Sequence, residues 1–318
     1  MTTHSNDPTP AANQNFHLDG QDFGYVEIRG DDAQDYLHRQ LSNEIRDLQP
    51  GVGRPMCYLN VQGRIRHYFN LWKTTEGYLA ILAGEQRRTF VEEMDRMVFR
   101  EKIEFIDRGG DLDSVVVIGP DSFSALSRLL SMAPLPEELE FSEASGDRVF
   151  RVGWTQEPTF HIVGDRERIQ SLKSILESEE IPLGEWRAFH TLRIEKGTPW
   201  PGYEVNETMI PYECGLDEAV SLTKGCYVGQ EVIARMANLG TPPRLLRGLH
   251  IDSNRDDIPE QGTPVREGDI VAGEILTSGF SERLNAAVAT SSIRKKFSKE
   301  GTMLSVGDRA ARVVAYPM

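Results

Sequence analysis

Three places in this sequence carry side chains whose types and spacing could do chemistry. The first is Lys224-Gly225-Cys226-Tyr227-Val228-Gly229-Gln230-Glu231, which sets a cation two residues before a thiol. Gly225 and Gly229 permit tight or positive-φ geometry, and Val232, Ile233 and Met236 follow at helical spacing, so the segment reads as a turn feeding a helix. A Cys226 just before a helix N-terminus and close to Lys224 would be favoured as the thiolate, which is the nucleophilic form. A buried structural cysteine is the competing reading, because free Cys is among the most buried residue types. The second place is Glu195, set among Leu192, Arg193 and Ile194 and followed by the breaker Gly197. A carboxylate in apolar surroundings can accept two hydrogen bonds from an amino-heterocycle such as a pterin or guanine. Trp186 and Phe23 could supply flat apolar surface for such a ring; a solvent-facing Glu195 and a core Trp186 are the alternatives. The third is His67, beside Tyr68 in a strand-like run, a possible base near neutral pH. No Ser or Cys nucleophile lies within sequence reach of it to make a triad.

Charge adds one local signal. Lys224, Arg235, Arg244 and Arg247 face only Glu231 over that stretch, in a chain of net charge −14. An anionic small molecule would be drawn there and repelled elsewhere, although a solvated helix face and linker charges would look the same. The overall acidity argues against a broad footprint for DNA or RNA, and no apolar run approaches membrane-spanning length. The three cysteines, Cys57, Cys214 and Cys226, are odd in number and widely spaced, which suits a reducing cytoplasm. They form no CxxC and the seven histidines do not gather near them, so no metal site is expected from this chain alone.

The elements that must position these groups follow from periodicity. Phe23 to Ile28 reads as a strand, and the run after it has Leu37, Leu41 and Ile45 on one helical stripe. Three strand-like segments and a helix with Phe90, Met94, Met97 and Val98 on one face follow. The order then repeats: "SVVVIG", a helix started by Asp121, "RVFRVGW", "TFHIV", and a helix started by Asp165. Two such modules, residues 18–107 and 108–184, with a returning segment 185–243, predict an α+β region of sheets covered by helices. Residues 1–17 carry no Lys or Arg and almost no large apolar side chains, and read as a flexible tail. From 244 to 318, short strands separated by Gly, Pro, Asn and Asp predict a small β-barrel.

The motif "KGCYVGQE" resembles the signature of the YgfZ family of folate-binding proteins, relatives of the glycine-cleavage T-protein, an aminomethyltransferase. "LRIEKGTPWPGYEVNETMIPYECGL" and "GEILTSGFSERLNAAVA" resemble that family's preceding segment and C-terminal barrel, and "LHRQLSNEI" with "LNVQGRIRHYFNLW" its N-terminal region. The resemblance thus covers nearly the whole chain after residue 17. It implies a clover-like, three-lobed arrangement around a pocket for tetrahydrofolate.

Carried over by position, the resemblance implies that Glu195 holds the pterin, Lys224 sits at a basic folate-binding position, and Trp186 and Phe23 flank the ring. Gly225, Tyr227, Gly229, Gln230, Glu231 and Arg235 complete the motif and its helix, with Cys226 as candidate thiolate. One departure is informative: where the T-protein has an Asp pair, this chain has His67 and Tyr68. Losing an acid from a proton-transfer site typically costs about 10²–10⁴ in rate, so glycine-cleavage transferase activity is not expected. The resemblance instead implies a cytoplasmic, monomeric, folate-binding accessory protein serving iron–sulfur client enzymes or assembly factors, tRNA-modifying enzymes among them, without itself binding nucleic acid or membrane. A tetrahydrofolate-dependent one-carbon transferase using Cys226 or His67 is the alternative. A scaffold with a vestigial pocket is a third.

Overall fold

The computed structural model describes residues 14–318 except Ser145 and Thr241. Two five-stranded antiparallel sheets stand face to face, and a closed six-stranded barrel follows them. In the first sheet the strands run in the order Gly53–Leu59, Ile65–Lys73, Tyr78–Ala83, Phe23–Arg29, Glu104–Asp107. The second runs Phe16–Asp19, Leu112–Ile118, Thr159–Asp165, Asp147–Arg151, Phe141–Ala144. Helices α1 (Ala33–Gln40) and α2 (Arg87–Asp95) belong to the first module, and α3 (Ser122–Leu129) and α4 (Arg166–Ser178) to the second. The returning segment carries α5 (Trp186–Lys196) and α6 (Gln230–Leu239).

Strand alternation explains the stacking. Side chains on a strand point to opposite faces in turn, so a strand buried on both sides reads as an unbroken apolar run. In "SVVVIG", Val115 and Val117 pack with Leu126, Ile169 and Leu172 of the helices, whereas Val116 and Ile118 pack with Phe23, Tyr25 and Trp72 of the other sheet. The first sheet does the same, with Val26 and Ile28 towards Tyr36, Leu37 and Phe90. The barrel closes on its own core of Leu249, Val265, Ile275, Ala289, Val306 and Val313. The expected α+β fold with a C-terminal barrel is the one observed.

Three expectations change. The helix expected to carry Phe90, Met94, Met97 and Val98 on one face is α2, which ends at Asp95 before Met97 and Val98, with Met97 exposed. Of the tail expected over residues 1–17, residues 1–13 lie outside the described residues, but Phe16 and His17 form a strand. Phe16 is buried in the inter-sheet core, and His17 Nδ1 lies 2.8 Å from the Ile181 carbonyl, so the chain enters through the second sheet before building the first. The stripe Leu37-Leu41-Ile45 is not one helix: α1 stops at Gln40, and Leu41 is extended in an isolated bridge to Tyr58. All three residues are nevertheless fully buried, because the chain past α1 stays in the same core.

Candidate functional site

The stop after α1 is explained by the motif lysine. The Lys224 ammonium donates to the carbonyls of His38 (2.6 Å) and Leu41 (2.6 Å), which the helix end leaves without intrahelical partners, and to that of Asn43 (3.0 Å) just beyond. Burial pulls its pKa down to about 8, so the group still carries its charge near neutrality. Lys224 lines none of the aromatic cavity described below; it fastens the motif loop to the first module. We expect Lys224→Met to cost about 2–4 kcal/mol, because three carbonyls lose a charged donor. Thermal unfolding checks this, and a midpoint unchanged from wild type would show that the carbonyls find other partners.

Beyond Lys224 the loop turns at Gly229, whose φ is 81°, and α6 begins. A Cβ on Gly229 would stand 2.6 Å from the Asn60 carbonyl oxygen, so glycine there lets the motif lie against the 60–63 hairpin. Tyr227 is buried with Ile233, Cys57 and Cys214, whereas Cys226 is exposed. The structural-cysteine reading thus fits Cys57 and Cys214, not Cys226. Arg235 and Glu231 are exposed on α6, and Gln230 is half-buried at its start. The basic run from Lys224 to Arg247 does not converge on one point: Lys224 is held by α1, and Arg247 donates to the Leu246 and Ser298 carbonyls of the barrel.

Aromatic side chains converge elsewhere. A cavity of about 440 Å³ opens between the two modules and the returning segment. Phe23, Trp154, Trp186 and Trp200 form its walls with His190 and Tyr203. Phe23 and Trp154 stack at 5.2 Å with planes 9° apart, and Trp200 stands edge-on to Trp154 at 5.2 Å. The floor comes from Phe69, Asn70 and Ile81 of the first sheet, and exposed Asp22 and Glu85 stand at the rim. Among the described lining residues there is no Lys or Arg.

Trp186 and His190 lie one turn apart on α5 and both line the cavity. Glu195 projects from another face of the same helix. Its Oε1 accepts from Ser281 (2.5 Å) and its Oε2 from Arg283 Nε (3.1 Å), both on the barrel side. The structure therefore brings Phe23 and Trp186 together and leaves Glu195 out, because the barrel occupies both of its carboxylate oxygens.

Behind the wall lies the buried pair Arg193–Glu204, with no exposed surface on either side chain. Glu204 Oε2 accepts from Arg193 Nη1 (2.8 Å) and from the Trp200 backbone N–H (2.9 Å). Its Oε1 accepts the hydroxyls of Thr277 (2.5 Å) and Thr290 of the barrel. Arg193 also donates to the Thr198 carbonyl (3.1 Å), to Thr277 (3.1 Å) and, through Nε, to His190 Nδ1 (2.8 Å). Burial, reinforced by the Arg193 charge, pushes the His190 pKa down to about 3. One ionic network thus hangs two cavity residues, His190 and Trp200, from the barrel.

His67 lies in a second, smaller cavity of about 110 Å³ with Arg66, Gln86 and Glu93; Tyr68 lines both cavities. His67 Nε2 is 3.3 Å from Glu93 Oε2, and burial holds its pKa below the usual value despite that carboxylate.

Sequence reasoning missed Trp154, Trp200, Tyr203 and His190. A usable signal existed. The chain has four tryptophans, and one of them sits in Pro199-Trp200-Pro201, a setting that reads as a loop and not as a core element.

Comparison with known proteins agrees with this architecture. An aminomethyltransferase of Symbiobacterium thermophilum is 29% identical over 326 residues, covering 94% of this chain and 85% of that protein. A putative chloroplastic transferase of Arabidopsis thaliana is 23% identical over 305 residues, covering 94% and 69%. The glycine cleavage system aminomethyltransferase T of Bartonella henselae has the same fold, with TM-score 0.87 over 96% of this chain and 86% of that one, at 18% identity. Residues 11–224 match the GCVT N-terminal domain and residues 244–318 the glycine cleavage T-protein C-terminal barrel domain. The chain belongs to the glycine cleavage T-protein family.

Proposed function

We propose that this protein is a tetrahydrofolate-binding accessory protein of the YgfZ type, acting in the cytoplasm as a monomer and supporting iron–sulfur enzymes, tRNA-modifying ones among them. The observation that carries the reading is the aromatic cavity. Its volume of about 440 Å³ suits a flat heterocycle, and apolar walls with a few polar groups are what such ligands require. Trp186 and Trp200, both half-buried, offer aromatic surface to a ring, while Asp22, Asn70, Glu85 and His190 offer polar contacts. The exposed Cys226 stands on a loop anchored by Lys224, accessible to a client protein or a one-carbon unit.

A second reading, a tetrahydrofolate-dependent one-carbon transferase, is favoured by the names of the relatives and by one local arrangement. His67 and Glu93 form a hydrogen-bonding-distance pair in a cavity separated from the aromatic one by Tyr68, where a base could serve a bound cofactor.

Calorimetric titration of tetrahydrofolate into wild type, Trp200→Ala and Cys226→Ala tests these readings. Binding that weakens by about tenfold or more without Trp200 and survives loss of Cys226 is the expected result. No binding by wild type would leave a scaffold. Turnover of a methylene-folate, lost in His67→Ala, would move the assignment to the transferase.

A further inference from the structure

The ionic network behind the cavity wall sets more than stability. A guanidinium has N–H donors and no acceptor, so the Arg193 Nε contact requires a lone pair on His190 Nδ1. Burial and the adjacent positive charge keep the ring neutral near physiological pH. A neutral imidazole has one proton, which must then sit on Nε2. The ring cannot swing freely, because Trp186 (6.1 Å), Phe189 (5.6 Å) and Tyr203 (4.8 Å) pack around it. The guanidinium that selects this tautomer is itself fixed by Glu204, Thr198 and Thr277. An N–H of fixed tautomer on a cavity-lining residue calls for an acceptor atom on whatever fills the space.

We infer that His190 is a specificity-determining residue, whose Nε2–H donates to an acceptor atom, a carbonyl oxygen or ring nitrogen, of the bound heterocycle. The inference rests on the folate reading and deepens it. The α5 face thus meets the ring's acceptors. Arg193 acts as a positioning residue, holding the tautomer without lining the cavity.

Long-range proton–nitrogen correlation spectra of the ¹⁵N-labelled full chain test this, with His190 assigned by its disappearance in His190→Gln. The ligand-free protein should show an unprotonated Nδ1 and a protonated Nε2 from about pH 5 to about pH 8. Saturation with tetrahydrofolate should move the Nε2 resonance. Binding should weaken by about tenfold in His190→Phe and recover in part in His190→Gln, whose amide keeps a donor. A ring that titrates above about pH 5, an Nε2 resonance unmoved by saturating ligand, or a His190→Phe variant that binds as tightly as wild type would each overturn the inference. If wild type binds and only these tests fail, the folate reading stands alone. If wild type does not bind, both fall.

Discussion

Replacing Glu204 by alanine should lower the thermal midpoint by about 5–7 °C, the largest effect expected of any single substitution here. Removing one member of a buried ion pair costs about 3–5 kcal/mol, since the other charge stays in place without compensation. In this case Arg193, fully buried, would lose its carboxylate, and the Thr277 and Thr290 hydroxyls and the Trp200 N–H would lose their acceptor. Arg193→Met together with Glu204→Leu should be milder than the Glu204 change alone, because an apolar pair leaves no buried charge. Differential scanning calorimetry of the single and double variants decides it. A single variant that melts with wild type would mean that water reaches the pair.

The second large effect is loss of stability in acid. His161 is fully buried between the sheets, 2.8 Å from Ser114 Oγ, and its burial pushes its pKa down to about 3. In the unfolded chain the same ring titrates near 6.5. Between those values the unfolded state binds a proton that the folded state refuses, so stability falls as pH drops through about 6.5 towards about 3. Fully developed, the penalty is of the order of 3–5 kcal/mol for this one group. His190, also held near 3, acts in the same direction. Urea midpoints measured across this window should fall steeply in wild type and less steeply in His161→Phe, even though that variant starts lower. Parallel slopes would assign the acid sensitivity to the carboxylates instead.

Legibility in the sequence followed the range of the interactions. The apolar run "SVVVIG" and the punctuation of residues 244–318 are local, and they announced a strand and the barrel; that the strand is buried on both faces depends on the other sheet. The end of α1 was not legible, because the groups that take its carbonyls belong to Lys224, 186 residues beyond His38. The same holds for Glu195. Its chemistry suggested a ring-binding carboxylate, but its fate is set by Ser281, 86 residues on, and by Arg283. Phe23 and Trp186, named together from the sequence as flat apolar surface, do line one cavity. His190 was not named, since a histidine acquires a fixed tautomer only from a neighbour, and Arg193 is recognisable as that neighbour only once α5 and the barrel are in place.

The rim of the aromatic cavity carries Asp22 and Glu85, with no cation among the described lining residues. A ligand with a flat ring and a chain of carboxylates would be captured by the ring while its far end is repelled by the rim and by a protein of net charge −14. Added salt screens that repulsion, so ionic strength favours capture, opposite to its effect on a basic binding site. Each further carboxylate on the ligand then hinders entry instead of helping it, and the cavity selects for the shortest anionic tail.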